Sequence, residues 1–330
     1  MVKGVFLLNQ DAYRQIYGPA ARAAIGQAVE LYAPPQTAQS VQVTPPILHD
    51  AELIFSGWGM PVMDEAFLAA TPNLKIVFYG AGSIKYCTTN AFWQRGIPIT
   101  SSYMANALPV AEFTLAQILL ALKKTWQHVL ISKQTNGYAP RLPVAGAYGS
   151  TVGIISLGMI GRLICQHLRR FDLKVIAYDP FATQADADTF GVELCALDEV
   201  FQRADVVSLH TPWLKATENL ITGAHLAAMK EGATFINTAR GAIVREQEML
   251  QVLQQRPDLL AVLDVTYPEP PVMGSPLYTL PNVILTPHIA GSMDNECQRM
   301  GQIVVEELQR FLNGEPLRWS ITREQAALMA

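Results

Sequence analysis

Cysteine is scarce in this chain. Four of the 330 residues are cysteines, and neither a C-x-x-C pair nor a histidine at metal-ligand spacing accompanies any of them. The scarcity excludes a disulfide scaffold and offers no cysteine-based metal site. We therefore expect free thiols, no bound metal and a protein of the reducing cytoplasm. The four residues are Cys87, Cys165, Cys195 and Cys297.

An excess of positive charge is also lacking. Lysine and arginine together number 24 against 28 aspartates and glutamates, so the net charge is −4, and the sequence contains no run of basic residues. Proteins that bind nucleic acid or an anionic membrane surface need a basic patch, so we expect neither partner. Half of the residues are apolar, which is typical of an ordinary globular protein. The expected partner is a small molecule.

Long apolar runs are missing too. The apolar run near the N-terminus is too short for a signal peptide, and no small-residue cleavage site follows it. One long stretch without a charge, Leu142–Gly161, has the length of a membrane span. It contains Pro143 and five glycines, which indicate a loop, a strand and a turn. The sequence predicts no membrane segment.

The chain length and the order of its apolar runs predict two α/β domains, each a doubly wound parallel sheet. At 330 residues the chain exceeds what one hydrophobic core usually fills. In the first hundred residues, β-like runs at 4–8, 53–55 and 75–79 alternate with helical patterns at 19–31 and 64–70. A second set has six β-like runs, the number that a dinucleotide-binding fold requires. These are residues 152–155, 174–178, 205–209, 233–237, 260–263 and 282–285.

Two helical patterns set the expected domain boundaries. Residues 105–124 form an apolar helix whose faces are nearly all covered by large side chains, which predicts burial in a domain or subunit interface and suggests a homodimer. After Gly291, another helical pattern runs to about Leu312 and is expected to pack back onto the first domain. The expected domains are 1–104 with 292–330, which would hold the substrate, and 105–291, which would bind NAD.

A glycine-rich turn opens the second set of strands. The sequence Ser156-Leu157-Gly158-Met159-Ile160-Gly161 follows an apolar strand and continues as a helix, and the next strand ends at Asp179 about twenty residues later. This context is that of a dinucleotide fingerprint, in which the helix N-terminus holds the pyrophosphate. Asp179 would bind the ribose hydroxyls and repel a 2′-phosphate, which favours NAD over NADP. Ser156 stands where the first glycine is usual.

Three later segments place polar side chains at the ends of predicted strands, where open α/β sheets bind ligands. They are Asn237-Thr238-Ala239-Arg240-Gly241, Leu263-Asp264-Val265-Thr266-Tyr267-Pro268-Glu269-Pro270 and Thr286-Pro287-His288-Ile289-Ala290-Gly291. Nearly the whole chain resembles the D-2-hydroxyacid dehydrogenases. The resemblance rests on these three segments, on the glycine-rich turn, and on residues 204–212 and 106–113. The resemblance implies a Rossmann NAD-binding domain, a flavodoxin-like substrate domain, and the interconversion of a 2-keto acid and a D-2-hydroxy acid.

The resemblance assigns a catalytic role to three residues, and their chemistry agrees with it. Arg240 can bind the substrate carboxylate through a forked pair of hydrogen bonds while polarising the carbonyl. His288 is the expected acid and base, because imidazole titrates near neutral pH. Glu269 would hydrogen-bond the other imidazole nitrogen, fix the tautomer and stabilise the protonated ring.

The resemblance also implies which residues line the NAD site and the substrate site. The first-domain loop Gly80-Ala81-Gly82 would meet the substrate carboxylate with its N–H groups, together with Arg240. After that loop, Lys85 departs from the usual acidic or amide residue; it is solvated or reaches an anionic tail. The cofactor set comprises Gly158, Met159, Ile160, Gly161, Asp179, His210, Thr211, Pro212, Thr217, Thr238, Ala239, Asp264 and Gly291.

Two other functions share this pattern. A formate dehydrogenase has the same fold with the arginine and the histidine, but would carry glutamine in place of Glu269. NAD-sensing transcriptional corepressors keep the fold and much of the site without being enzymes. Turnover of a 2-keto acid distinguishes an enzyme from such a binding protein.

Overall fold

A computed structural model of the chain describes residues 1–329, and their contacts divide it into two compact units. The first unit consists of Met1–Ala107 and Ser292–Met329, and the second of Leu108–Gly291. Each unit is built around its own parallel sheet. The chain therefore has the α/β fold with two parallel sheets that the sequence predicts.

The first unit alternates strands and helices up to residue 101. The three middle strands of its five are short, largely apolar runs, because a parallel sheet covered on both faces buries both sides of each strand. Two helices from the end of the chain, α13 (Cys297–Leu312) and α14 (Arg323–Leu328), complete it. The preceding elements are β1 (Lys3–Leu7), α1 (Gln10–Ile16), α2 (Pro19–Ala28), β2 (Glu30–Leu31), α3 (Ala38–Val43), β3 (Leu53–Ser56), α4 (Glu65–Ala70), β4 (Ile76–Tyr79), α5 (Asn90–Gln94) and β5 (Ile99–Ser101).

The strand order of this sheet is β2-β1-β3-β4-β5, all parallel, which is the flavodoxin-like order. The predicted helix over residues 19–31 was too long. Helix α2 ends at Ala28 because Val29 adopts an extended conformation and is buried, and residues 30–31 pair with β1 as an edge strand. The period of the helical pattern cannot show where a short edge strand replaces the last turn.

Helix α6 (Tyr103–Leu122) carries the chain out of the first unit. By length and composition it is apolar enough to cross a membrane, a property that core helices of globular proteins share. Pro109 lies inside the helix. Helix α7 (Thr125–Thr135) follows, and none of its residues is buried.

The second unit contains a seven-stranded parallel sheet with the order β12-β11-β10-β9-β6-β7-β8. The prediction of six strands was wrong by one, because β8 has only two residues and lies at the sheet edge. Four strands lie on one side of β6 and two on the other, and the strand order reverses at β6 as in a Rossmann fold. The elements are β6 (Thr151–Ile155), α8 (Met159–Leu168), β7 (Lys174–Tyr178), α9 (Gln184–Phe190), β8 (Glu193–Leu194), α10 (Leu197–Arg203), β9 (Val206–Leu209), α11 (Gly223–Ala227), β10 (Thr234–Asn237), α12 (Glu246–Gln255), β11 (Leu260–Leu263) and β12 (Val283–Leu285).

The position at which a ligand can bind in this unit lies between the adjacent strands β6 and β9. Both are buried along the register that pairs Val152 with Val206 and Ile155 with Leu209. From β6 the chain winds to one side of the sheet, and from β9 to the other. A parallel sheet leaves a crevice at its carboxyl edge at this switch point, where ligands of open α/β sheets bind.

Candidate active site

The glycine-rich turn lies at the carboxyl end of β6 and leads into α8. Gly158 is the N-cap residue and has no side chain to cap the first helical turn, so the N–H groups there remain available to an anion. A Cβ atom on Gly161 would lie 2.1 Å from the carbonyl oxygen of Ser156, so only glycine fits at this position. Met159 is exposed and Ile160 half-buried. The turn thus has the uncapped helix N-terminus that a pyrophosphate requires.

Asp179 follows β7 and lies against the turn, as the fingerprint requires. Its Oδ2 atom accepts hydrogen bonds from the N–H of Leu157 at 2.7 Å and from the hydroxyl of Ser156 at 3.3 Å. Its Oδ1 atom accepts from the N–H groups of Phe181 at 2.8 Å and Ala182 at 3.1 Å. The carboxylate therefore joins the glycine-rich turn to the loop after β7.

His210 follows β9 on the other side of the switch point. Its backbone N–H donates to Ile155, and its Nε2 atom is 2.8 Å from the hydroxyl of Ser208. Burial lowers the pKa of His210 to about 3, so the imidazole is neutral at physiological pH and is no acid catalyst. Its Nδ1 atom is buried without a hydrogen-bond partner among residues 1–329. An orphaned polar atom beside an uncapped helix N-terminus fits a bound dinucleotide.

The loops after β9 and β10 carry five of the other predicted cofactor residues. Thr211 is buried, and the hydroxyl of Thr217 donates to the carbonyl of Pro212 at 2.5 Å and so closes the loop that contains both. The hydroxyl of Thr238 is 3.0 Å from that of Thr114 on α6. Ala239 is buried, and its N–H donates to the side chain of Asn237. These hydroxyl groups fasten the loops, and Gly291 is the last residue of the second unit.

Arg240 follows β10, the strand between β9 and β11. Its side chain is half-buried and donates to the carbonyl of Ala239 at 2.6 Å. Burial lowers the pKa of the guanidinium, and the charge of Glu269 opposes that shift. The next residue must be glycine, because a Cβ atom on Gly241 would lie 2.0 Å from the carbonyl carbon of Thr266. The loops after β10 and β11 are therefore in close contact, with Arg240 beside them.

Asp264 follows β11 and holds the loop that carries His288. Its buried carboxylate accepts from the hydroxyl of Thr286 at 2.6 Å and from the N–H groups of Ile289 and Ala290, each at 2.9 Å. The carbonyl of Asp264 also accepts from the N–H of His288 at 3.0 Å. His288 has a φ of 55°, which is uncommon for a residue other than glycine. The strained backbone of His288 is thus fixed on both sides by one aspartate.

His288 and Glu269 are in direct contact. The Nδ1 atom of His288 is 2.5 Å from Oε1 of Glu269, and both side chains are partly exposed to solvent. This contact fixes the tautomer of the ring and leaves Nε2 as the nitrogen available for proton transfer. The structure brings together the pair that the sequence predicts, and the charge of Glu269 also acts on Arg240.

In the first unit, the loop Gly80-Ala81-Gly82 follows β4. Gly80 is tightly enclosed, since a Cβ atom there would lie 2.8 Å from Ile16, and Ala81 is buried. The carbonyls of Ala81 and Gly82 accept from the hydroxyl of Ser101. Within residues 1–329, the N–H groups of Ala81 and Gly82 have no hydrogen-bond partner. They can therefore bind an anion.

Comparison with known proteins decides the family. Residues 115–290, which contain the turn, Arg240, Glu269 and His288, match the sequence profile described as "D-isomer specific 2-hydroxyacid dehydrogenase, NAD binding domain". The chain belongs to this family. Residues 115–290 are its NAD-binding domain, and NAD is the cofactor.

Relatives of this D-2-hydroxyacid dehydrogenase family member include two described as D-3-phosphoglycerate dehydrogenases. The protein of Archaeoglobus fulgidus is 32% identical over 78% of this chain and 49% of its own length. That of Mycobacterium tuberculosis is 32% identical over 90% of this chain and 56% of its own length. The chain thus spans about half the length of the curated relatives it matches.

Solved structures show the same fold. The D-isomer specific 2-hydroxyacid dehydrogenase of Lactobacillus delbrueckii ssp. bulgaricus, in an NAD-complexed form, has a TM-score of 0.80 at 24% identity and covers 97% of this chain and 100% of its own. The D-mandelate dehydrogenase of Rhodotorula graminis has a TM-score of 0.82 at 23% identity and covers 98% of both chains. At these identities the likeness establishes the fold alone.

Sequence reasoning missed the residues that hydrogen-bond to the predicted site residues of the NAD-binding domain. Thr286 bonds to Asp264, and Thr114 bonds to Thr238. Ser208 bonds to His210. Glu246 accepts from the N–H of Tyr267, and burial raises the pKa of this glutamate. Thr286 lies two positions before His288, the one signal that could have drawn attention to it. Ser208 likewise lies two positions before His210, whereas Thr114 and Glu246 are ordinary polar residues whose partners are distant in sequence.

Proposed function

We propose that the protein is an NAD-dependent dehydrogenase that interconverts a 2-keto acid and a D-2-hydroxy acid by hydride transfer. The observation that carries this proposal is the His288–Glu269 contact at the carboxyl edge of the sheet. The loops with Arg240, Glu269 and His288 follow β10, β11 and β12, which are neighbours in the sheet. An acid–base pair and a cation at one sheet edge are what the reduction of a 2-keto acid needs.

Each of the three side chains has a separate role in the proposed reaction. Arg240 binds the carboxylate of the keto acid and polarises its carbonyl, since a guanidinium presents two parallel donors. Protonated His288 donates a proton from Nε2 to the carbonyl oxygen as it becomes a hydroxyl, and in the reverse direction it removes that proton. Glu269 stabilises the protonated ring through Nδ1. NAD, when bound, supplies or accepts the hydride.

The cofactor would be held by both sides of the switch point in the second unit. The uncapped first turn of α8, from Gly158 to Gly161, would bind the pyrophosphate, and Asp179 the adenosine ribose. His210 would donate or accept one hydrogen bond through its orphaned Nδ1 atom. The loops fastened by Thr217 and Thr238 would line the remainder, with Asp264 placing the loop that ends at Gly291.

The first unit would contribute to substrate binding. The N–H groups of Ala81 and Gly82 lack partners within residues 1–329, and Gly80 leaves no room for a side chain. Such a loop is suited to a carboxylate, because two adjacent N–H groups can donate to one anion. This supports the name substrate domain for residues 1–104 with 292–330.

A panel of keto acids tests the proposed reaction. We expect purified protein to oxidise NADH with at least one of glyoxylate, hydroxypyruvate, pyruvate and a branched 2-keto acid, and to prefer NADH to NADPH. His288→Ala should lower kcat at least about a hundredfold, the lower end of general acid catalysis, with NADH affinity unchanged. Binding of NADH without turnover of any keto acid would indicate a binding protein instead.

We also propose that the protein is a cytoplasmic homodimer. Within residues 1–329 all four cysteines are free, as a reducing compartment requires. No residue of α7 is buried, and two tyrosines of the following loop are almost fully exposed, Tyr138 at 98% and Tyr148 at 87%. Exposed aromatic residues beside an unburied helix are typical of an association surface. Sedimentation at micromolar concentration should show a dimer, and a monomer would contradict the proposal.

A further inference from the structure

Ser156 has an unusual backbone conformation in the glycine-rich turn. Its φ is 80°, which serine seldom adopts, because Cβ then approaches the backbone. Its N–H donates to the carbonyl of Tyr178 at 2.7 Å, so the residue is held at the end of β7. A glycine would adopt this conformation without strain. The side chain therefore has a cost at this position, and among residues 1–329 its one hydrogen-bond acceptor is the carboxylate of Asp179.

The Asp179 carboxylate has no acceptor position left for a ligand. Two carboxylate oxygens offer about four lone-pair positions. Leu157 and Ser156 donate to one oxygen, and Phe181 and Ala182 donate to the other. A ribose hydroxyl that donates to this carboxylate must displace one of these four donors.

Ser156 is the donor that can leave. The other three donors are backbone N–H groups at 2.7 to 3.1 Å, which cannot turn away without moving the chain. Leu157 is held on its other side as well, because its carbonyl accepts from Nε of Arg162 at 2.7 Å. The Ser156 hydroxyl makes the longest of the four bonds, 3.3 Å, and a single rotation about χ1 removes it.

We infer that the Ser156 hydroxyl occupies, in the cofactor-free protein, the position on Asp179 that the 2′-hydroxyl of the adenosine ribose of NAD takes on binding. Ser156 is then a positioning residue that keeps the carboxylate satisfied between turnovers and weakens the binding of NAD. The inference rests on the proposed placement of the cofactor at Asp179. It adds that the serine lowers affinity by competing for one hydrogen bond.

Isothermal titration of two variants with NADH and with ADP-ribose tests this inference. Ser156→Ala removes the hydroxyl and keeps the strained backbone, whereas Ser156→Gly removes both. We expect both variants to bind NADH and ADP-ribose about two- to tenfold more tightly than the parent, the effect of losing one competing ordinary hydrogen bond. ADP-ribose carries the adenosine ribose and pyrophosphate without the nicotinamide, so the gain needs no catalytic step.

NADPH and a third variant serve as controls. A 2′-phosphate cannot donate to Asp179, so NADPH should gain less than NADH in Ser156→Ala. Asn136→Gly relieves another positive φ, of 48°, at an exposed position outside the turn, and should leave the affinity for both ligands unchanged. Thermal unfolding should show Ser156→Gly to be more stable than Ser156→Ala, because only glycine relieves the backbone.

Three results would overturn the inference. Unchanged or weaker binding in Ser156→Ala would show that the hydroxyl does not compete with the ribose. Tighter binding in Ser156→Gly alone would assign the effect to backbone strain. An equal gain for NADPH would show that the effect does not involve the 2′-hydroxyl. Parent protein that binds neither NADH nor ADP-ribose would contradict the proposed function itself, which is a distinct result.

Discussion

The side chains of His288 and Glu269 meet at 2.5 Å, between Nδ1 and Oε1, although they lie 19 positions apart in the sequence. They meet because their loops follow β11 and β12, which pair in parallel, so both loops leave the sheet at the same edge. A neutral partner at position 269 would keep the geometry and lose the charge. That substitution separates the electrostatic role of the glutamate from its orienting role.

Glu269→Gln should lower kcat for keto-acid reduction. Glutamine can still accept the hydrogen bond from Nδ1 of His288 but has no negative charge, and one charge-assisted hydrogen bond corresponds to about a ten- to hundredfold change. The measurement is kcat with saturating NADH and keto acid. An unchanged kcat would mean that Glu269 only orients the ring.

Arg240→Lys should impair recognition of the keto acid while the positive charge is kept. Lysine cannot form two parallel hydrogen bonds to a carboxylate, and one charge-assisted bond corresponds to about a ten- to hundredfold change. We expect kcat/KM to fall by that amount, with NADH affinity unchanged in fluorescence titration. Equal kcat/KM values for the two proteins would remove Arg240 from substrate binding.

Asp264 should be essential to the loop of His288 through three hydrogen bonds. Asp264→Ala leaves the hydroxyl of Thr286 and two N–H groups without an acceptor, which should lower the free energy of unfolding by about 2 kcal/mol or more. Asp264→Asn keeps one acceptor oxygen and should lose less. Denaturant unfolding of both variants measures the difference, and equal losses would contradict this account.

His210 should make the stability of the protein depend on pH. Burial lowers its pKa to about 3 in the folded protein, whereas an unfolded histidine titrates near pH 6.5. Between these values the unfolded chain binds more protons than the folded protein does. The free energy of unfolding is therefore highest above pH 6.5 and declines as the pH falls.

Unfolding of the parent and of His210→Asn at several pH values measures this contribution. At about 1.4 kcal/mol per pH unit, the histidine should cost the parent roughly 2 kcal/mol between pH 7.5 and pH 5. The asparagine variant lacks that group, so the stability difference between the two proteins should change by this amount. Parallel curves would show that residue 210 is not the titrating group.

The sequence predicted the parts of this site that depend on strand order and failed where contacts depend on side-chain packing. Arg240, Glu269 and His288 follow apolar runs, so their shared edge could be expected. The bonds of Asp264 to Ile289 and Ala290 depend on how a loop folds back, which no spacing encodes. The same holds for Ser156, whose hydroxyl lies near a residue 23 positions away.

Short elements were the other source of error. Strands β2 and β8 have two residues each, too few for an alternating pattern. Both lie at sheet edges, where each pairs with only one neighbouring strand. The second unit therefore has one more strand than the sequence predicted.

The first unit is assembled from two segments of the chain that the whole second unit separates. Helix α13 packs against α1 and α2, so closely that a Cβ atom on Gly301 would lie 2.1 Å from the carbonyl oxygen of Ile16. A ribosome releases that helix only after residues 108–291 have emerged. The NAD-binding domain can therefore complete its core during synthesis. The earlier segment of the first unit cannot pack against α13 until that helix, some 190 residues downstream, has been made, and joining the two segments has a correspondingly large cost in loop-closure entropy.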